Sequence, residues 1–445
     1  MPRRVIVIGG GAAGLMAAGR AAEVGADVIL LEKMREAGKK ILVSGQERCN
    51  ITNTVPLEKF LEHYGSNGPF LRNAYYRFFR DELLALLERY GVTTQDERGG
   101  RVFPASGQAS DVRDALLSYA TAQRADIRYH TEVQHILADK GEVIGVELRN
   151  GGRIPAHAVI LATGGASWPA TGSTGDGYRM AMEVGHTVVP LRPALVPLTV
   201  AERAQAKALQ GVSLRNVRCT FTTQKDKGPT EALRLPYPMP PTGEMLFTHF
   251  GVSGPLILTA SLAVVDALRD GAKVTLHIDL KPGMTEQEVH ARLQHEFEAK
   301  AHRRLANLLK GWVPTTLADA LARLSGVAAD RPVHTIRAEE RARLVALLKD
   351  FHWEITGSLP LASGMVTAGG VSLKEVNPVS FASRLVKGLH IVGETLDIAA
   401  DTGGFNLQAA FSSGYLAGEH AGMEGELAIR RRPAEAATIS RYDKL

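Results

Sequence analysis

Val5-Ile6-Val7-Ile8-Gly9-Gly10-Gly11-Ala12-Ala13-Gly14, followed by a second apolar run at residues 28–31 that closes on Glu32, decides the fold. Residues 5–8 are apolar and β-branched throughout, the pattern of a strand buried on both faces of a parallel sheet. The glycines follow at once, and residues 15–24 resume with helical character. Gly9 permits a tight turn, Gly11 lets the backbone approach a pyrophosphate, and Gly14 permits close packing of helix on strand. The helix start offers unpaired N–H groups and a partial positive charge to phosphates. Glu32 falls where a carboxylate accepts hydrogen bonds from the ribose hydroxyls of an adenine dinucleotide, about 20 residues past the glycines. A glycine fingerprint alone is weak. With a strand on each side and the acid in place, it specifies a dinucleotide site.

Pro2-Arg3-Arg4 ahead of apolar residues has the outline of a secretory leader. Its core is broken by Gly9, Gly10, Gly11 and Gly14, and no small-residue cleavage site follows cleanly. No apolar run approaches roughly 18 residues, so no membrane span is expected. A length of 445 residues predicts two or three domains, and 45% hydrophobic with 22% charged residues is ordinary for a soluble globular protein. Cys49 and Cys219 are far apart and form no CxxC, which argues against a disulfide framework, a zinc knuckle and a dithiol redox centre. Together with the absent leader, this points to a reducing cytoplasm. The net charge of +5 and the isoelectric point near 9.1 are compatible with many partners. The basic clusters His302-Arg303-Arg304 and Arg430-Arg431-Arg432 read as solvated faces, or as contacts to an anionic partner such as nucleic acid.

Residues 1–195 alternate strand and helix, with helices expected near residues 71–90 and 112–121. Residues 143–148, between Gly141 and Asn150-Gly151-Gly152, predict a hairpin. Residues 158–161 predict another buried strand, ending in Ala162-Thr163-Gly164-Gly165. From residue 196 the pattern changes. Residues 217–223, 246–248 and 274–279 are short and β-like, with Pro236, Pro238, Pro240 and Pro241 marking a loop between the first two. Helical candidates follow at 287–300, 303–310, 316–324 and 338–348, punctuated by Pro282, Pro314 and Pro332. After residue 355 the α/β character returns: residues 389–392 form a strand leading to Gly393-Glu394, and Thr402-Gly403-Gly404-Phe405 opens a helix to about residue 421. The expected fold is α/β. A discontinuous Rossmann-type domain (1–195 and 355–445) is interrupted by an insert with a β subdomain (196–284) and an α-helical subdomain (285–354).

Two further segments carry chemistry. Ser44-Gly45-Gln46-Glu47-Arg48-Cys49-Asn50 is small and polar enough to lie along an extended cofactor. Lys33, Arg35, Lys39 and Lys40 cluster near it, either to offset pyrophosphate charge or as solvated surface. Thr402-Gly403-Gly404-Phe405-Asn406 places two glycines at a helix start, so backbone N–H groups can reach a planar ligand. A helix N-terminus aimed at the N1/C2=O edge of a flavin would stabilise its anionic reduced form. Following Gly393-Glu394, this reads as the flavin end of an FAD site. No second GxGxxG follows a strand, so a dedicated nicotinamide domain is not expected, and NAD(P)H as donor would bind transiently beside the flavin.

The chain resembles the YhiN/BaiN-type bacterial flavoproteins, NAD(P)/FAD-dependent oxidoreductases. The matching stretches are VIVIGGGAAGLMAA, GKKILVSGQERCNITN, GRVFPASGQASDV, ILATGGASWPATGSTGDGYRMA, GEMLFTHFGVSGP and GLHIVGETLDIAADTGGFNLQAAFSSGYLAG. They run from end to end of the chain. The TGDGY and TGG segments are also similar to fumarate-reductase flavoprotein subunits, more distantly. The resemblance implies an FAD-binding domain interrupted by an insert. It implies FAD contacts at Gly9, Gly11, Ala13, Gly14, Glu32, Lys33, Lys40, Ser44, Gly45 and Asn50, and a backbone contact from Val133 to the adenine. Further contacts fall at Thr163, Gly164 and Asp176, with Gly393, Glu394, Gly404, Phe405 and Asn406 at the flavin end. One departure stands out: the family has glycines where this chain has Gln46-Glu47, and side chains there restrict the loop.

Catalytic residues are less marked. His249 in Thr248-His249-Phe250 is the first candidate proton donor, since imidazole titrates near neutrality; the alternative is a structural histidine. Cys49 is either a proton donor beside the flavin or a small packed thiol. Arg48 either holds a substrate carbonyl or phosphate, or pairs with Glu47 or another acid. The resemblance implies a reductase delivering hydride to a C=C bond conjugated with a carbonyl: uracil in large-subunit ribosomal RNA first, with steroid dienones or other small enones as the alternative. Oxidation of an amine by O₂ ranks lower. A different class is a non-catalytic, FAD-containing RNA-associated protein, which would turn over no NAD(P)H. Nothing in the sequence fixes an oligomeric state.

Overall fold

The computed structural model describes residues 2–226 and 228–423, so the Arg430-Arg431-Arg432 cluster lies outside the described residues. Contacts divide the chain into two units, one built from residues 1–192 and from 365 onward, the other from Pro193–Gly364. Each is described by itself.

The first unit is organised by β1 (Arg4–Ile8), α1 (Ala12–Glu23) and β2 (Asp27–Leu31). β3 (Asp126–Arg128), β4 (Ala158–Leu161) and β5 (Leu389–Ile391) complete an all-parallel sheet in the order β5-β4-β1-β2-β3. Val5 pairs with Ala158 and Val28, and Val159 with Leu389, which brings the C-terminal segment into the same sheet as the N-terminus. The central strands are apolar because both faces are covered: Val5, Ile6, Val7, Val159 and Ile160 have no exposed surface. The last helix among the described residues, α2 (Phe405–Gly422), lies along α1 at unusually short range. A Cβ on Gly414 would stand 2.3 Å from the Ala13 carbonyl oxygen, and one on Gly418 2.4 Å from that of Ala17. Glycine at this four-residue spacing lets the two helix backbones touch, locking the C-terminal helix onto the dinucleotide motif.

Two local expectations change. Residues 71–90 form two helices, Gly68–Arg77 and Arg80–Arg89. The break falls at Phe78 and Phe79, both extended, because each aromatic ring is drawn into the core. Phe78 stacks on Tyr415 at 4.1 Å and Phe79 packs edge-on against Phe60 at 5.0 Å. The Glu82 carboxylate then accepts from the Phe79 N–H at 2.9 Å and starts the second helix. The strand at Glu142–Leu148 is the middle of three, paired with Val133–Asp139 and Arg153–Pro155.

In the second unit every strand pairing is antiparallel. Ser213–Gln224 pairs with both Gly243–Thr248 and Lys273–Asp279, so the sheet closes into a ring through Gly251–Ser253, Leu198–Val200 and Phe351–Ser358. The helix Pro255–Arg269, absent from the sequence reading, packs against this ring and is buried continuously over residues 256–264. Helices at Glu286–Ala299, Leu305–Leu309, Thr315–Leu324 and Ala338–Lys349 follow. The chain then re-enters the ring at Phe351–Ser358, which extends the unit past residue 354 to Gly364. Among the described residues, no helix is long and apolar enough to cross a membrane.

Candidate functional site

In the first unit, Gly9 turns the chain from β1 into α1 with φ +98°, and a Cβ on Gly14 would stand 1.8 Å from the Gly9 carbonyl oxygen. The helix start is thereby pressed against the strand end, with its first N–H groups aimed past Gly11. A Cβ on Gly11 would meet nothing within 4 Å, so space opens directly in front of those donors. Glu32 lies beneath them, 9% exposed. Its Oε2 accepts from the Gly10 N–H at 2.7 Å and its Oε1 from the Met34 N–H at 2.8 Å. Open space, a helix N-terminus and a fixed carboxylate fit the adenosine-diphosphate half of FAD. Ala13 lies in the first turn of α1, and Val133 is buried at the start of the strand Val133–Asp139. Lys33 forms an ion pair with Asp176 and donates to Thr174 Oγ1 at 2.5 Å, so these two expected contacts offset one another's charge.

A second cluster gathers Lys40, Ser167 and Glu394. Lys40 Nζ donates to Ser167 Oγ at 2.8 Å and pairs with Glu394 Oε2 at 2.7 Å. Glu394 Oε1 accepts from the Thr367 N–H at 2.8 Å and from Ser167 Oγ at 3.2 Å. A Cβ on Gly165 would run into Thr367 and Glu394. The flanking chain is tied to this cluster. The Gly164 carbonyl accepts from Thr395 Oγ1 at 3.3 Å, Thr163 Oγ1 faces Thr395 Oγ1 at 3.5 Å, and the Gly393 N–H donates to Ser413 Oγ at 3.0 Å.

The start of α2 is braced by three asparagines. The Asn50 amide accepts from the Gly404 N–H and donates to the Thr52 carbonyl, both at 3.1 Å. Asn53 Nδ2 donates to the Gly403 carbonyl at 3.1 Å. Asn406 accepts from the Ala400 N–H at 2.9 Å and donates to the carbonyls of Ala400 and Asp401. Gly404 has φ +96°, and a Cβ there would stand 2.5 Å from the Thr52 carbonyl oxygen. Beneath it the Phe405 ring, 2% exposed, stacks on His63, whose Nδ1 lies 2.8 Å from Asp401 Oδ1. Tyr64 donates to the Phe405 carbonyl at 2.6 Å.

The loop bearing Ser44, Gly45 and Asn50 is bent hard. Gly45, Gln46, Glu47 and Cys49 all have φ between 58° and 65°. Ser44 Oγ donates to the Ile41 carbonyl at 2.7 Å. Cys49 is fully buried, and burial pushes its thiol up to about 12. Arg48 pairs with Glu97, and its guanidinium lies 4.1 Å over the Phe103 ring. His249 belongs to the second unit, exposed in the turn between Gly243–Thr248 and Gly251–Ser253, with Phe250 edge-on at 4.9 Å.

The structure thus brings Gly9, Gly11, Gly14 and Glu32 together at one end, and Lys40, Glu394, Asn50, Gly404 and Asn406 at two neighbouring clusters. Sequence reasoning missed His63 and Asp401. Asp401 directly precedes the glycines of a motif already singled out, whereas nothing local marks His63. Trp168 was also passed over, although it follows Ser167 within a matching stretch.

Residues 3–420 match the family described as the HI0933-like protein Rossmann domain. The chain is 33% identical over 421 residues to a 3-dehydro-bile acid delta(4,6)-reductase of Clostridium scindens, covering 94% of this chain and 98% of that one. It is 30% identical over 416 residues to a ribosomal RNA dihydrouridine synthase of Haemophilus influenzae, covering 92% and 96%. Among solved structures, the quinol fumarate reductase FrdA of E. coli shares the fold at 19% identity with a TM-score of 0.50, over 99% of this chain and 74% of that one.

Proposed function

Because this chain belongs to the HI0933-like Rossmann family and is an FAD-dependent oxidoreductase, we propose that it reduces a C=C bond conjugated to a carbonyl, with uracil of large-subunit ribosomal RNA as its substrate. One observation carries the reading. Two relatives that match nearly the whole chain are named for substrates sharing one bond type. A 3-oxo steroid with Δ4,6 unsaturation and a uracil ring both present an alkene polarised by a carbonyl. When bound, FAD reduced by NAD(P)H supplies a hydride to the carbon β to that carbonyl, and the α carbon takes a proton.

The residues of this chain then have separable tasks. The helix start at Gly11 and the Glu32 carboxylate hold the phosphates and ribose. Lys40 and Glu394 keep the middle of the cradle in shape through Ser167 and Thr367. The start of α2, its Gly404 N–H held by Asn50, would offer the partial positive charge of the helix to the electron-rich edge of a reduced flavin. His249, exposed in a turn of the second unit, is the proton donor proposed in this reading. Arg48 is engaged by Glu97 and shapes the loop beside Asn50.

The test is nucleoside mass spectrometry of ribosomal RNA from the host with and without the gene. Loss of dihydrouridine on deletion, restored by the wild type and not by Gly11→Ala, is the expected result. Unchanged dihydrouridine overturns the RNA substrate. The second reading, favoured by the bile-acid relative, is then tested by NADPH oxidation with a steroid dienone.

A further inference from the structure

We propose that Trp168 is a stacking platform for a nucleobase of the RNA substrate, an inference that rests on the RNA reading above. The chain has three tryptophans. Trp312 and Trp353 are 5% and 0% exposed, whereas Trp168 leaves 40% of its surface in water. An exposed indole offers a flat, rigid ring on which another flat ring can stack.

Trp168 is also held still. Its backbone is left-handed, with φ +54° and ψ +60°, a conformation that a bulky residue keeps only when its surroundings impose it. Anchors stand on both sides. Before it, the N–H groups of Ala166 and Ser167 donate to Thr367 Oγ1 at 2.9 and 3.1 Å. After it, the Trp168 carbonyl accepts from the Thr171 N–H at 2.9 Å and from Thr171 Oγ1 at 2.7 Å. A rigid aromatic loses little entropy when a flat ring settles on it.

Its place in the unit gives the occupant. The preceding residue, Ser167, is bonded to Lys40 and Glu394. Farther along the same loop, Thr174 bonds Lys33, and a Cβ on Gly172 would stand 3.0 Å from Met34, two residues past Glu32. The loop therefore runs along the cofactor cradle, from the Lys40–Glu394 cluster to the Glu32 end, with the indole exposed upon it. The other strongly exposed apolar side chains of the unit include Tyr76, Ile144, Met182 and Leu385, which lie on other elements. Met365, 47% exposed, joins the same cluster, its carbonyl accepting from Ser167 Oγ at 3.4 Å. The loop lies between the Lys40–Glu394 cluster and Glu32, away from Gly404, so the base it takes is one flanking the reduced uracil: that uracil must leave the stack of its strand, and an aromatic side chain replaces the stacking its neighbour has lost.

The experiment uses the FAD-loaded protein and a fluorescein-labelled single-stranded oligouridylate, followed by anisotropy. Trp168→Ala is expected to bind it roughly 5- to 150-fold more weakly, and Trp168→Phe to recover most of the loss. The flavin absorbance spectrum is expected to match the wild type in both variants. With a uridine substrate, Trp168→Ala should raise KM and leave kcat unchanged. Equal binding by the wild type and Trp168→Ala overturns the proposal, as does loss of FAD in Trp168→Ala, which would make the indole a structural part of the cradle. A wild type that binds no oligouridylate refutes the RNA reading and this proposal with it; that result appears before any variant is made.

Discussion

His63 and Asp401 meet at 2.8 Å across 338 residues of sequence, and the His63 ring stacks on Phe405 with 3.8 Å between centroids. The pair braces the turn that opens α2, and Asp401 is only 4% exposed. Burial raises the Asp401 carboxyl above the usual carboxylate range, with His63 acting in the opposite direction. An acid whose folded value is raised contributes stability that is complete below its unfolded value near 3.9 and is lost as pH rises through the folded one. Asp401→Asn does not titrate. Urea unfolding of both proteins from about pH 4 to pH 7 should show the wild-type advantage shrinking as pH rises. A constant gap between the two curves would show that Asp401 carries no such linkage.

Gly11 and Gly14 separate cofactor binding from folding. A Cβ at Gly11 enters open space, so Gly11→Ala should unfold at the wild-type temperature when FAD is absent. The same methyl group fills the space in front of the helix N-terminus and should weaken FAD binding at least about tenfold, equivalent to about 1.4 kcal/mol. A Cβ at Gly14 meets the Gly9 carbonyl oxygen, so Gly14→Ala forces helix and strand apart at a cost of about 1–3 kcal/mol or more. Thermal melts of the FAD-free proteins and flavin fluorescence titrations read the two effects independently. If Gly11→Ala melts as early as Gly14→Ala, the space in front of Gly11 is a packing feature and no ligand site.

The parallel sheet of the first unit was legible because its signals are local: a β-branched run, glycines, a helix pattern and an acid within the first 32 residues. The start of α2 was legible for the same reason. The second unit was harder. Leu256-Ile257-Leu258 opens a helix that is buried all round, so it lacks the polar stripe by which amphipathic helices are read. Phe351, Trp353 and Ile355 do alternate with His352, Glu354 and Thr356, a period-two signal. The ring exists only through pairing of distant strands, and His63 acquires meaning only from Asp401 and Phe405. Such relationships have no local trace.

Gln46 and Glu47 are exposed residues held at φ 60° and 65°, backbone conformations that favour glycine. Each side chain there costs about 1–2 kcal/mol, against the smaller entropic penalty of glycine in the unfolded chain. The double change Gln46→Gly with Glu47→Gly should therefore stabilise the protein by about 1 kcal/mol in urea unfolding. It should also leave FAD affinity equal or higher, since Asn50 and Gly404 keep their hydrogen bond. A loss of stability would mean that the two side chains hold the loop through contacts outweighing their backbone strain.

Cys49 and His249 are the two expected proton donors, and variants tell them apart. The Cys49 thiol, fully buried and pushed up to about 12, is neutral at pH 7 and a poor acid there, since a useful donor titrates near the working pH. Burial also keeps it from solvent reagents. Cys49→Ala should retain turnover within about threefold, and iodoacetamide should leave the folded wild type unmodified at that position. His249→Gln should lower kcat by at least about a hundredfold, because glutamine cannot donate the proton. Flavin reduction by NADPH, the proposed donor, needs no proton on the acceptor and should be unaffected in the same variant. The reverse pattern, an inactive Cys49→Ala with a fully active His249→Gln, would make Cys49 the proton donor in place of His249.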